Sequence, residues 1–149
     1  MTPPAFARIA LWVALSAGCQ TRAACPDDPA ISAARNAWAA RHLADYRFVW
    51  QESCFCVPEA VQPIVVTVRG GEIVAATDRN GRAISTEVRE NLLTIDALYR
   101  RAAAAQCTAA VVRVVAGTDG VPASVFIDPS LQAADDEFRV TISEFSTVP

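Results

Sequence analysis

The cysteines are the residues of this sequence that could take part in the most kinds of chemistry, from metal binding to disulfide formation and exchange. Cys54 and Cys56 lie two positions apart, and Cys25 and Cys107 lie far from them on either side. A thiolate binds soft metals, attacks disulfides and forms them. The Cys-x-x-Cys spacing of zinc sites and thioredoxin-like enzymes is missing, and His42 is the only histidine. The spacing therefore favours disulfides over a metal site or a redox centre.

The remaining cysteine, Cys19, follows a segment typical of an export signal. Arg8 supplies a positive charge, and residues 9–15 form an apolar run that is too short to cross a bilayer. Residues 16–19, Ser-Ala-Gly-Cys, resemble the lipobox of bacterial lipoproteins, in which the cysteine thiol carries a diacylglycerol. Because Ser16 stands where a larger apolar residue is usual, an ordinary cleaved signal is the alternative.

This pattern predicts the domain organisation and the compartment. We expect a signal peptide over residues 1–18, a tether over residues 19–29 and one domain over residues 30–149. Lipidation of Cys19 with acyl chains such as palmitate would anchor the chain in the bacterial cell envelope, facing the periplasm. Gln20 resembles the sorting signal for the inner leaflet of the outer membrane, if the source is Gram-negative.

An oxidising compartment favours two disulfides among the other four cysteines. If Cys54 and Cys56 lie on a strand, their Cα atoms are about 6.6 Å apart, at the edge of the range for a disulfide. Cys25 precedes the first predicted helix and Cys107 follows the second, so we expect one bridge from each helix end to the strand. Incomplete pairing with a free thiol, a metal site and a redox site are the alternatives.

The densest acidic cluster lies in the last third of the sequence and is a candidate interaction or ion site: Asp128, Asp135, Asp136 and Glu137. Carboxylates suit calcium, but the spacing does not match an EF-hand loop. A solvated turn is the alternative. Glu52 and Glu59 flank the Cys54–Cys56 string, and we expect them to face water rather than to form a buried acid pair.

Composition excludes several classes of protein. The chain has 149 residues, of which 52% are hydrophobic and 19% are charged, and its net charge is −3. A mildly acidic chain is a poor candidate for nucleic-acid binding, and so apolar a chain is unlike a disordered acidic tail. No apolar run reaches the length of a polytopic membrane protein's helices. One small domain remains.

Apolar periodicity and turn residues predict the elements of this domain. The helices are expected over residues 30–43 and 94–106, and the strands over 46–56, 64–68, 73–77, 110–115, 123–128 and 137–145. Gly70-Gly71 between two apolar runs indicates a hairpin turn. The order αβββαβββ predicts an α+β fold with an antiparallel sheet of about six strands and two helices packed on one face.

Several strings in these elements resemble a bacterial family of exported proteins known as domain of unknown function 6174. They are Cys54-Phe55-Cys56-Val57-Pro58-Glu59, Thr94-Ile95-Asp96-Ala97-Leu98-Tyr99 and Ala134-Asp135-Asp136-Glu137. The resemblance covers about residues 33–145 and implies the fold and export. It implies no catalytic residue.

The sequence predicts no catalytic residue, no cofactor and no metal ligand set. We therefore expect a membrane-tethered envelope lipoprotein that is a binding or structural domain rather than an enzyme. Its expected partners are the membrane, through the lipid on Cys19, and an envelope protein. The alternative is a thiol/disulfide redox or metal-binding factor that uses Cys54 and Cys56.

Overall fold

A computed structural model describes residue 25, residues 27–133 and residues 135–149. The predicted signal peptide, Cys19 and most of the predicted tether lie outside the described residues. Within the described part, no helix has both the length and the hydropathy that crossing a membrane requires.

The described chain is an α+β domain, as predicted. Its elements are α1 (Pro29–Ala39), β1 (Tyr46–Glu52), α2 (Pro58–Val61), β2 (Ile64–Arg69), β3 (Glu72–Thr77), α3 (Thr86–Arg89), α4 (Ile95–Ala105), β4 (Val111–Ala116), β5 (Pro122–Asp128) and β6 (Phe138–Thr147). All strand pairs are antiparallel, and the sheet has the order β3-β2-β1-β6-β5-β4. The one-turn helices α2 and α3 are additional to the predicted order.

Alternation along the strands places one face of the sheet in the core. In β2, Ile64, Val66 and Val68 are fully buried, and the residues between them are half-buried. The two long helices contribute to the same cluster, α1 through Trp38 and α4 through Leu98. The buried side chains of the strands, which alternate along the chain, and those of α1 and α4, which follow helical spacing, thus pack together in a single core.

Two tyrosines in this core have their hydroxyl groups satisfied by backbone. The hydroxyl of Tyr99 donates to the carbonyl of Gly120 at 2.7 Å, and the hydroxyl of Tyr46 accepts from the backbone N–H of Ile95 at 3.2 Å. Burial raises the pKa of both phenols to about 12, because the charged form would lose its hydration.

Gly120 lets the β4–β5 turn lie directly against α1. Its φ is +76°, and a Cβ at this position would clash with the backbone of Trp38 and lie 2.6 Å from the carbonyl oxygen of Ala34. Only glycine therefore fits between the turn and the helix. The helix, the turn and Tyr99 are held together at this point.

Candidate functional site

Strand β1 ends at Glu52, four residues before the predicted end of the strand. The backbone N–H of Ser53 still donates to the carbonyl of Arg139 at 2.9 Å, which fastens the end of β1 to β6. Pro58 then begins α2. The chain must turn between the strand and this helix, and residues 53–57, which we name the disulfide loop, form that turn.

The turn brings the two cysteines of the disulfide loop together. Cys54 and Cys56 form a disulfide, with their Cα atoms 5.2 Å apart. This distance is shorter than an extended strand allows, so the expectation of separate partners fails because the strand stops before Cys54.

The second disulfide joins Cys25 to Cys107 across the ends of the two long helices. Asp28, which caps the start of α1, donates its backbone N–H to the side-chain oxygen of Gln106 at the end of α4 at 2.5 Å. The two helix ends therefore lie side by side. The predicted bridges from each helix end to the strand are wrong for this reason.

The disulfide loop presents apolar side chains to solvent. Phe55 is 93% exposed and Val57 is 55% exposed. Cys56 is exposed as well, whereas Cys54 is half-buried. The two cysteines of this disulfide therefore differ in their exposure to solvent.

A second set of hydrogen bonds fastens the far side of the disulfide loop. The carboxylate of Glu59 in α2 accepts from the hydroxyl of Ser85 at 2.6 Å and from its backbone N–H at 3.1 Å. These bonds hold the pKa of Glu59 below its ordinary value. Ser85 also caps α3 through the N–H of Val88, so α2 and α3 are connected. Glu59 is half-buried and paired with Ser85, so the expectation that it faces water is correct only in part.

A cavity of about 380 Å³ lies beneath the disulfide loop, and we name it the Trp50 cavity. Trp50 and Glu52 of β1, Cys56 of the loop and Arg101 of α4 line it. Ala60 of α2, Val88 of α3 and Leu92 add apolar side chains to the wall, and Glu87 and Asn91 add polar ones. The volume is within the range of pockets that bind small ligands, and the wall combines apolar and polar surface in similar measure.

One of these polar groups is an indole N–H without a partner. Trp50 is fully buried, and its Nε1 atom has no hydrogen-bond partner within 3.5 Å among the described residues, although the indole lies near enough to the carboxylate of Glu52 to lower the pKa of that group. A buried donor that stays unpaired destabilises the folded chain unless another molecule accepts its hydrogen bond.

Two further polar groups of the wall, those of Glu52 and Arg101, carry opposite charges. Burial raises the pKa of Glu52 above its ordinary value, although the positive charge of Arg101 and the indole of Trp50 act in the opposite direction. The guanidinium of Arg101 lies 3.8 Å from the ring centroid of Phe138, a cation–π contact. The Trp50 cavity thus offers a neutral donor, a carboxylate and a guanidinium together.

The predicted acidic cluster is spread over two structural settings. Asp128 ends β5, is 8% exposed, and accepts a hydrogen bond from the backbone N–H of Ser130 at 2.9 Å. Asp135, Asp136 and Glu137 are exposed in the segment before β6. In the part of the chain that the structure describes, no three or more His, Cys, Asp or Glu residues are grouped as metal ligands would be.

The oxidised state of Cys54 and Cys56 also bears on the metal alternative. The thiolate is the form of cysteine that binds metals, and both sulfurs are engaged in a disulfide. A metal site at this loop would first require reduction.

A larger cavity, of about 490 Å³, lies between β3 and the helices α3 and α4. Two guanidinium groups line it, and that of Arg89 donates to the backbone carbonyls of Ile73 and Val74 at 3.0 and 3.3 Å, whereas Arg100 is exposed. The Trp50 cavity is the better candidate for ligand binding, because its donor, the indole of Trp50, is fully buried and has no hydrogen-bond partner within 3.5 Å among the described residues.

Neither Trp50 nor Arg101 is among the candidate site residues that the sequence predicts. The two residues are 51 positions apart, about a third of the chain, and the packing of α4 across the sheet brings them to one cavity. The sequence signals that could have predicted the two short helices beside this cavity are Pro58 at the start of α2 and Ser85 at the N-cap of α3.

Comparison with protein families gives one match that covers most of the chain. A model described as a family of unknown function, DUF6174, matches residues 30–147. Comparison with curated proteins and with solved structures gives no match. The chain therefore belongs to the family of unknown function DUF6174.

Proposed function

We propose that this chain is an exported bacterial lipoprotein, anchored in the cell envelope by a lipid on Cys19, whose domain binds a peptide segment of an envelope protein. Binding takes place in the Trp50 cavity and involves no chemical reaction. The observation that carries the binding role is the fully buried indole N–H of Trp50, which has no hydrogen-bond partner within 3.5 Å among the described residues and lies at a cavity of ligand size.

Export and anchoring are supported by two independent features of the chain. Both pairs of described cysteines are joined as disulfides, which persist in oxidising compartments and are rare in the cytosol. Residues 9–19 have the apolar run and the small residues before cysteine that lipoprotein signals use.

The polar groups of the Trp50 cavity favour a secondary amide as the ligand group. An amide oxygen accepts from the indole of Trp50 or from the guanidinium of Arg101, and an amide N–H donates to the carboxylate of Glu52. Leu92 and the apolar side chains beside it suit the side chain of such a peptide. A peptide backbone supplies this pairing of acceptor and donor wherever it is extended.

Binding is tested by NMR of the indole N–H groups, with N-acetyl-leucine N-methylamide as the probe. We expect the Trp50 signal to shift on titration, because its N–H gains an acceptor, while the signal of Trp38 in the core stays in place. Trp50→Phe should weaken binding by roughly 3- to 10-fold, the effect of one lost neutral hydrogen bond. Acetate is the control, and an equal response to acetate or no response to the amide would contradict the proposal.

Anchoring is tested separately by mass spectrometry of the chain extracted from membranes. We expect cleavage before Cys19 and a mass increase on the Cys19 peptide that corresponds to a diacylglycerol and an amide-linked acyl chain. The Cys19→Ala variant is the control and should leave the membrane fraction. An unmodified Cys19 in the membrane-extracted chain would rule out the lipid anchor while leaving the binding role in place.

A further inference from the structure

We propose that the Cys54–Cys56 disulfide is an exchange disulfide that oxidises a pair of thiols in an extended polypeptide. This activity is additional to the binding role above and uses the outer surface of the disulfide loop.

The two disulfides differ in what they do for the fold. Cys25 and Cys107 are 82 positions apart, whereas Cys54 and Cys56 are 2 positions apart. Stabilisation by a disulfide grows with the number of residues in the loop it closes, because the bridge restricts the unfolded chain. Cys54–Cys56 closes the smaller loop by far, so stabilisation of the fold accounts for Cys25–Cys107 much better than for Cys54–Cys56.

The geometry of the loop suits attack by a thiolate from outside. Cys56 is exposed and Cys54 is half-buried, so Cys56 is the cysteine of the pair that we expect an incoming thiolate to attack. Phe55 and Val57 stand on either side of Cys56, 93% and 55% exposed. Exposed apolar side chains at this position provide a contact for the apolar residues of an unfolded or extended polypeptide.

Both ends of the disulfide loop are held by bonds that do not involve sulfur. Ser53 is tied to β6 through the carbonyl of Arg139, and Glu59 is tied to Ser85 at the start of α3. Opening the disulfide therefore leaves β1 and α2 fastened, and the domain stays folded in both redox states.

The exchange proceeds in two steps. A substrate thiolate attacks Sγ of Cys56, the sulfur–sulfur bond to Cys54 breaks, and its electron pair leaves on Cys54, which takes up a proton. The second substrate thiolate attacks the substrate sulfur of the mixed disulfide and releases Cys56, which is protonated in turn. Two electrons and two protons pass from the substrate dithiol to the two cysteines. An external small-molecule disulfide, such as glutathione disulfide, restores the oxidised pair by the reverse exchange.

The first experiment measures selective reduction. The full chain is equilibrated with reduced and oxidised glutathione at a series of ratios, quenched in acid, alkylated and digested with trypsin. We expect the fragment that contains Cys54 and Cys56 to become alkylated at ratios that leave Cys25 and Cys107 unmodified. Reduction of both disulfides at the same ratio would overturn the proposal.

The second experiment measures transfer to a substrate, with a reduced synthetic peptide that contains two cysteines as the probe. The oxidised chain should convert the peptide to its disulfide form. The Cys54→Ser variant, which lacks the Cys54–Cys56 disulfide, should form no peptide disulfide. Phe55→Ser should slow the transfer several-fold, whereas Leu131→Ser, a control at a 74% exposed position elsewhere, should not. A peptide that stays reduced would refute the exchange activity. Equal transfer rates for Phe55→Ser and Leu131→Ser would refute the contact between the loop and a polypeptide substrate.

Discussion

Replacing both Cys25 and Cys107 by serine is expected to destabilise the fold far more than the same replacement of Cys54 and Cys56. The first bridge joins the start of α1 to the end of α4, and the second lies within one exposed turn. Each double variant removes one disulfide and adds two hydroxyl groups, so the pair is a matched comparison.

The expected magnitudes follow from the lengths of the closed loops. A sequence separation of 82 corresponds to about 4.5 kcal/mol of stabilisation in the chain-entropy model, and a separation of 2 to about 1.5 kcal/mol. Since domains of this size are stable by about 5–15 kcal/mol, loss of the long bridge removes a large share of the free energy of unfolding.

Urea denaturation followed by circular dichroism measures both losses. The midpoint should fall much further for the Cys25/Cys107 variant, and its m-value should rise, because the unfolded chain expands without the long bridge. Equal losses in the two double variants, or a larger loss for Cys54/Cys56, would refute the distinction between a structural and an exchange disulfide.

Three further expectations follow from the packing and the pKa shifts. Gly120→Ala should destabilise the fold by about 2–5 kcal/mol, because the added Cβ meets the backbone of α1. Gly81, with φ +83° and open space around it, is the control, and Gly81→Ala should lower the free energy of unfolding by only about 1–2 kcal/mol. Urea denaturation measures both losses. Absorbance at the tyrosinate band should show that Tyr46 and Tyr99 ionise with a pKa of about 12 rather than near 10. The free energy of unfolding should fall as pH rises from the unfolded pKa towards the folded pKa. Ionisation near pH 10 in the folded chain would contradict the burial of these phenols. The raised pKa of Glu52 contributes stability that is present below its unfolded pKa and is lost as pH rises through the folded pKa. Glu52→Gln should therefore gain stability relative to the wild type as pH rises above the ordinary glutamate pKa of 4.5, and a difference independent of pH would contradict the shift.

Much of the sheet was predictable because its signals are local. Gly70 and Gly71 have positive φ in the turn between β2 and β3, as their sequence indicates. Thr94 caps α4 by accepting from the N–H of Ala97 at 3.2 Å. The six strands and two long helices follow from such signals and from apolar periodicity.

The cysteine pairing was not predictable from the same signals, because it depends on two features that local patterns do not specify. One is the end of β1 at Glu52, since an aromatic, β-prone run continues through Phe55. The other is the contact between Asp28 and Gln106, which brings the helix ends together across 78 positions of sequence.

The Trp50 cavity was also beyond local prediction. Helices α2 and α3 have only four residues each, too few for a periodic pattern. Arg101 reaches the cavity through the packing of α4, although nothing in its sequence neighbourhood distinguishes it from Arg100.

A disulfide map of the purified chain tests the central claim most directly, because the two bridges underlie the separation of structural and exchange roles. Tryptic digestion without reduction should yield the Ala23–Arg35 and Ala102–Arg113 peptides linked by the Cys25–Cys107 disulfide. The Phe48–Arg69 peptide should appear alone, lighter than its reduced form by a pair of hydrogen atoms. Phe48–Arg69 cross-linked to either of the other peptides would contradict the account.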